Sequence, residues 1–385
     1  MHRWMDAGSS NNTDAGQAGK QAAELALGGR DPALVIVFCS DSYDLDELSS
    51  GVRSVSGDAP LIGCSTAGEI SISGPTEAGV VVIALGGDGF SVATSSFEGA
   101  SSDLRAAGAH VAGSLTELEE RPHKVMLLLT DGLAGDQQEI VRGAYEVSGA
   151  RIPLVGGCAG DDLKMQRTYQ LFGDRVLKDS VVGAAIGSDA PFGIGVHHGW
   201  TKVGDPMLVT KSADNRVYTL DDKPALDRYL EKLGAPDEAR TDPASFTQFA
   251  LTHPLGLMRR SGEPQVRFVA EADFDDRSLG CIAEVPQGGM AWFMEGDGTS
   301  VLEATEAACS DALATLTDDP IGIIAFDCIA RKGVLGSEGI QVEIDKIAEL
   351  AGGASVAGFY TYGEIARTKG INGFHNQTLV VLAVS

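Results

Sequence analysis

The feature that most constrains this chain is a repeated segment. Residues 60–70 read PLIGCSTAGEI and residues 355–365 read SVAGFYTYGEI. Aligned without a gap, they share Gly63/Gly358, Thr66/Thr361, Gly68/Gly363, Glu69/Glu364 and Ile70/Ile365. A third copy, PLVGGCAGDD at 153–162, keeps the pattern of apolar strand then glycine and ends in acids. Each copy lies downstream of another apolar strand with a polar exit: Cys39-Ser40-Asp41, Thr130-Asp131 and Asp327-Cys328. The spacing is too irregular for a solenoid. It predicts duplicated strand–helix–strand modules whose loops gather at the carboxyl ends of the strands, where open α/β sheets hold ligands.

The rest of the chain fits a mixed α/β (α+β) class. Apolar periodicity predicts helices over 15–27, 44–55, 104–118, 137–147, 224–233, 300–316 and 340–350. Strands are predicted over 33–39, 60–64, 124–129, 152–155, 321–326, 355–359 and 378–384. Strands at 80–85 and 90–95 flank Gly86-Gly87-Asp88-Gly89, a hairpin signal. Residues 167–218 read as a central β meander, and the composition turns helical after Asp221-Asp222. The expected domains are therefore 1–220 and 221–385.

Charge narrows the partners. The 385 residues carry a net charge of −25, which repels phosphate backbones and anionic membranes, so neither nucleic acid nor a membrane surface is an expected partner. Six cysteines form no CxxC pair, and the apolar runs stop at about six residues against the ~20 of a membrane helix. The N-terminus turns polar at once, without a signal-peptide core. The expected location is the cytoplasm.

The two long copies, the Cys328-Ile329-Ala330-Arg331 exit and the closing His375-Asn376-Gln377-Thr378 motif together resemble the FIST family. The order and spacing of these segments cover nearly the whole chain. The resemblance implies related N-terminal and C-terminal FIST domains and a role as a small-ligand sensory module in signal transduction. It also implies an amino-acid-like ligand or, as in some relatives, haem that senses nitric oxide. Output is expected through a separate protein such as a histidine kinase or a cyclic-dinucleotide enzyme.

The expected ligand site comprises Ser40, Cys64, Ser65, Thr66, Glu69, Asp131, Cys158, Asp161, Arg331, Tyr360, Tyr362 and Glu364. Each follows a buried strand, and buried polar groups need either mutual hydrogen bonds or a shared ligand. Glu69 and Glu364 suit a ligand amine or cap nearby amides. Arg331 suits a ligand carboxylate, with a structural ion pair as the competing reading. The cofactor is left open. His198, His253 and His375 are the haem-ligand candidates, each weighed against an ordinary structural histidine. A competing reading is a hydrolase or transferase with a serine, or Cys64, Cys158 or Cys328, as nucleophile. The segment around Ser65 lacks the final glycine of a G-x-S-x-G elbow, and 16–21 lacks the spacing of a P-loop.

Overall fold

In the computed structural model three stretches of the chain fold alike. Residues 3–72, 74, 78–258, 264–368 and 373–385 are described. The first stretch runs through strand Trp4–Ser10, helix Ala15–Leu27, strand Leu34–Ser40, helix Leu45–Ser56, strand Leu61–Thr66 and strand Val80–Gly86. The second repeats this order with Phe90–Glu98, Leu104–Ala112, His123–Thr130, Gln137–Ser148, Leu154–Cys158 and Ser180–Ser188. The third does so with Phe192–His197, Gly298–Leu313, Gly322–Cys328, Ile329–Leu350, Ser355–Thr361 and Leu379–Val384. In each, the central strand pairs in parallel with the one after the second helix and antiparallel with the last strand. The central strands are buried on both faces, which is why they read as unbroken apolar runs. Aspartates cap the helices: Asp14, Asp44, Asp103, Asp136 and Asp297 each accept a first-turn N–H.

The three units are stitched together by exchanged strands. After its parallel edge strand, each unit sends the chain into a neighbouring sheet. Glu69–Ser71 pairs with Ser355–Thr361, Glu364–Arg367 with Leu154–Cys158, and Gln170–Phe172 with Leu61–Thr66. The first unit thus gives a strand to the third, the third to the second, and the second to the first. The registers match: Glu69 faces Phe359, Glu364 faces Gly157, and Gln170 faces Cys64. The inner faces of the three sheets share one core. At its centre the rings of Phe38, Phe326 and Phe359 lie 4.5–6.4 Å apart. Cys64 and Gly157 occupy the positions equivalent to Phe359, and small residues there leave room for that ring.

A separate antiparallel sheet is inserted in the third unit, between Phe192–His197 and Gly298–Leu313. Its strands include Thr201–Ala213, Arg216–Leu220 and Met290–Glu295. Helices Ala225–Lys232 and Pro243–Ala250 cover it over a core containing Tyr229, Phe246 and Phe293.

The structure departs from the sequence reading in three places. Val80–Gly86 and Phe90–Glu98 do not pair; their partners are Trp4–Ser10 with Leu34–Ser40, and Ser180–Ser188. The glycine-rich turn therefore links two units. The strand-rich run at 167–218 is present, but its strands are dealt out among all the sheets. Segments on either side of 220/221 share sheets, because Phe192–His197 pairs with Leu379–Val384 and Glu69–Ser71 with Ser355–Thr361. The hydrogen-bonded units thus follow a threefold plan, and the third unit and its inserted sheet run across residue 220.

Gly63, Gly156 and Gly358 occupy equivalent positions opposite Val37, Leu128 and Ala325. A Cβ there would approach the partner carbonyl oxygen to 2.4, 1.9 and 1.9 Å. Gly358→Ala is expected to destabilise the protein by about 1–3 kcal/mol in denaturant unfolding, as overpacking does. Gly113→Ala, where a Cβ meets nothing within 4 Å, should change little.

Candidate functional site

The exchanged strands bring their turns together at the carboxyl ends of the parallel strands. Ala67 N–H donates to the Tyr360 carbonyl (2.9 Å) and Tyr360 N–H to that of Gly68 (2.8 Å). Cys158 N–H donates to the Gly363 carbonyl (2.8 Å), and Tyr362 N–H to that of Cys158 (3.2 Å). Gly160 N–H donates to the Ser65 carbonyl (3.0 Å), and Ser65 N–H to that of Tyr169 (2.9 Å). The loops expected to meet around 64–69, 158–162 and 360–364 therefore do meet. Two of the turns are copies. The Thr66 hydroxyl donates to Glu69 (2.6 Å) and accepts from Gly68 N–H (3.2 Å). The Thr361 hydroxyl donates to Glu364 (2.5 Å) and accepts from Gly363 N–H (3.1 Å).

Most of the expected site residues satisfy one another. The Ser65 hydroxyl donates to the Gly160 carbonyl and accepts from Tyr169 N–H. Asp131 accepts from the Thr168 hydroxyl (2.7 Å) and from the N–H groups of Leu133 and Asp179. Asp161 accepts from the N–H groups of Met165, Gln166 and Arg167 and from the Tyr362 hydroxyl. It thereby organises a loop in which Asp162, Leu163 and Met165 hold positive φ. The Thr130 hydroxyl donates to the Cys158 sulfur (3.1 Å), Cys64 is part of the core, and Ser40 pairs with Ser42 at the surface.

Arg331 is not an open anion anchor. It is fully buried on the first turn of Ile329–Leu350, a helical segment that the sequence reading starts only at 340 and that breaks at Gly336. Its guanidinium donates to Asp327 (2.5 Å), Glu343 (2.7 Å), Thr305 Oγ1 (2.9 Å) and the His198 carbonyl (3.3 Å). Burial pushes Asp327 well above the usual carboxylate range, with Arg331 opposing and Glu343 reinforcing. The structural ion pair is therefore the reading that the geometry carries. Asp327 ends the strand Gly322–Cys328 while Arg331 stands on the first turn of the helix that follows, and Thr305 and Glu343 arrive from other helical turns, so the sequence named no partner acid for Arg331.

Two equivalent carboxyls behave as hidden acids. Burial pushes Glu69 up to about 7, against the Thr66 hydrogen bond, and Glu364 up to about 8, against that from Thr361. Glu364 is satisfied by Thr361, by Thr378 N–H (3.2 Å) and by the Cys328 thiol. Glu69 is not: among the described residues nothing pairs with its Oε2. The Tyr360 hydroxyl, buried towards Asp327, Glu343 and Arg331, is likewise without a partner among the described residues. Lys332, unremarked as a site residue from sequence, donates to the Ala67 carbonyl (2.8 Å) and lies over the Tyr360 ring at 5.3 Å. Gly68, at φ +122°, permits this, since a Cβ would come within 2.8 Å of the Lys332 Nζ.

The nucleophile and haem candidates are placed differently. Cys64, Cys158 and Cys328 are buried, and burial pushes each thiol far above its ordinary value, away from the thiolate a nucleophile needs. His198 Nδ1 accepts from Trp200 N–H, and His375 Nε2 lies 3.0 Å from the Ala366 carbonyl. His253 stacks on Phe249 and bonds through Nδ1 to Thr252 and Phe249. Among the described residues no group of three or more His, Cys, Asp or Glu side chains is arranged to hold a metal ion, and no helix is long and apolar enough to cross a membrane.

Comparison with known proteins agrees with the repeat. The FIST N domain matches residues 33–223 and the FIST C domain residues 225–367. The chain belongs to the FIST family. FIST domains are known as small-ligand sensory domains of signalling proteins. An uncharacterized protein of Methanocaldococcus jannaschii is 26% identical over 381 residues, covering 89% of this chain and 72% of that one. An uncharacterized protein of Mycobacterium tuberculosis is 26% identical over 385 residues, covering 96% of this chain and 97% of that one. Among solved structures, PurLQS from Thermotoga maritima aligns at a TM-score of 0.23 and 10% identity, covering 99% of this chain and 72% of that one. A likeness that weak carries no argument.

Two outcomes follow from this FIST chain's buried charges. Arg331→Ala leaves Asp327 and Glu343 buried without their cation and should cost about 3–5 kcal/mol of stability, read by denaturant unfolding. Glu69 and Glu364 have folded values raised above the ordinary 4.5. Their contribution to stability is full below about pH 4.5 and is lost as pH rises to about 8, at about 1.4 kcal/mol for each tenfold change in proton affinity on folding. Unfolding free energies should therefore fall from pH 5 to pH 8, and Glu364→Gln should flatten that slope.

Proposed function

We propose that this FIST protein is a sensory module that binds a small polar molecule and signals through a separate partner protein. One observation carries the reading: Glu69, buried to 4% exposure at the carboxyl end of the parallel strands, keeps a carboxylate oxygen that no described residue pairs. An unpaired buried acceptor costs about 1–3 kcal/mol, and a ligand donor would recover that cost. Three turns from three units meet at this end of the sheets, so occupancy there bears on how the units are held together. A ligand of amino-acid-like size and polarity suits such a place better than haem, because the observed contacts of His198, His253 and His375 are those of structural histidines. The thiol chemistry of the hydrolase reading is disfavoured by the same burial that raises the cysteines. The cytoplasm remains the expected location.

The neighbouring loop is the part best placed to report occupancy. It holds Leu163 and Met165 exposed, rests on Asp161 and Tyr362, and is pinned by Lys164 to Asp41 (2.6 Å) and by Asp162 to Lys332 (3.8 Å). Native mass spectrometry of the protein as purified tests the reading. A retained small molecule, lost on partial unfolding and not restored by washing, is the expected result. A bare chain that also gains no thermal stability across a library of polar metabolites would refute it.

A further inference from the structure

The threefold plan allows the three turn sites to be compared as if they were three variants of one site. Glu69, Gln170 and Glu364 occupy one register position, each the first residue of an exchanged strand, facing Phe359, Cys64 and Gly157 respectively. Around Glu364 the cell is closed, because both carboxylate oxygens have donors. Around Gln170 the neighbouring acid, Asp131, is closed by Thr168, Leu133 and Asp179, while the neutral Gln170 amide oxygen has no donor among the described residues. The Glu69 cell alone of these three keeps an open carboxylate oxygen among the described residues. The backbone amide equivalent to Thr378, which closes the Glu364 cell, belongs to Gly79, as the matching bonds Cys328 N–H to Thr378 and Ser40 N–H to Gly79 show. Gly79 does not reach Glu69.

A second asymmetry falls on the same cell. Two of the exchanges turn tightly, through Ala67-Gly68 and Tyr362-Gly363. The third carries an insertion, 161–168, between Gly160 and Tyr169. This insertion is a strap that crosses the open cell. Lys164 binds Asp41, just past Ser40 at the end of the first central strand, and Asp162 approaches Lys332, which holds the Ala67 carbonyl. The acids of the rim are thus paired with lysines, and the open acceptor is the one beneath them.

We propose that the Glu69 cell binds the primary ammonium group of a small organic cation, with Glu69 Oε2 as its acceptor and the 161–168 strap as its cover. This deepens the sensory reading above and rests on it. An ammonium supplies both the missing donor and a compensating charge for a desolvated carboxylate, which a neutral hydroxyl or amide does not. The chain's net charge of −25 favours cations over anions at its surface.

The test uses the full chain and four probes at fixed ionic strength: methylammonium and n-propylammonium chloride, with tetramethylammonium chloride and n-propanol as controls. Calorimetric titration and unfolding temperature should show binding of the two primary ammonium ions and of neither control. Glu69→Gln should weaken that binding more than about tenfold. The variant should fold, since the chain already carries Gln170 at the equivalent register. As a second measurement on the unmutated protein, the carboxyl carbon-13 signal of Glu69 should move to the ionised position as methylammonium is added. Equal responses to all four solutes, no response to methylammonium, or binding indifferent to Glu69→Gln would overturn the assignment. A retained ligand without an amine would overturn it too, while leaving the sensory reading intact. A protein that retains and binds nothing in the metabolite library would instead remove the reading beneath it.

Discussion

The architecture depends on the cyclic exchange of short strands. Without Glu69–Ser71, Glu364–Arg367 and Gln170–Phe172, each parallel edge strand would face solvent with unpaired backbone groups. Exchange supplies those bonds from another unit, so no unit completes its sheet alone. It also forces the chain to turn sharply at the strand ends, which explains why threonine, glycine and glutamate recur there. Threonine ties the turn, glycine allows its close approach, and glutamate begins the exchanged strand.

The same arrangement explains where polar groups end up. Turns from three units converge where the core is already closed by Phe38, Phe326 and Phe359. Polar side chains there are desolvated before any ligand arrives, and most answer by bonding to one another. Asp131, Asp161 and Ser65 are spent in this way. Arg331 belongs to a different layer, where it joins Gly322–Cys328, Gly298–Leu313 and Ile329–Leu350 through two buried acids and the Thr305 hydroxyl. A cation so placed is a structural tie. Among the described residues the Glu69 Oε2, with Lys332 nearby, is one of the buried acceptors left without a donor.

Much of this was written in the sequence. The apolar strands, the repeated GxxTxGE turn and the convergence of its copies follow from local chemistry: side-chain volume, backbone freedom at glycine, and the short reach of threonine. The family was legible from the same segments. The third repeat read as ending in the acids Asp161-Asp162, but these open the 161–168 insertion, and the residue equivalent to Glu69 is Gln170. The partner of each exchanged strand was not legible either. A strand of three or four residues carries no mark of which edge it will join, and the glycine-rich turn at 86–89 reads as a hairpin whether or not its flanking strands pair. Those choices depend on contacts between residues hundreds of positions apart. Tertiary structure alone decided that Arg331 is shielded while Glu69 Oε2 has no donor among the described residues, because burial and hydrogen bonding are properties of surroundings that a single stretch of sequence does not contain.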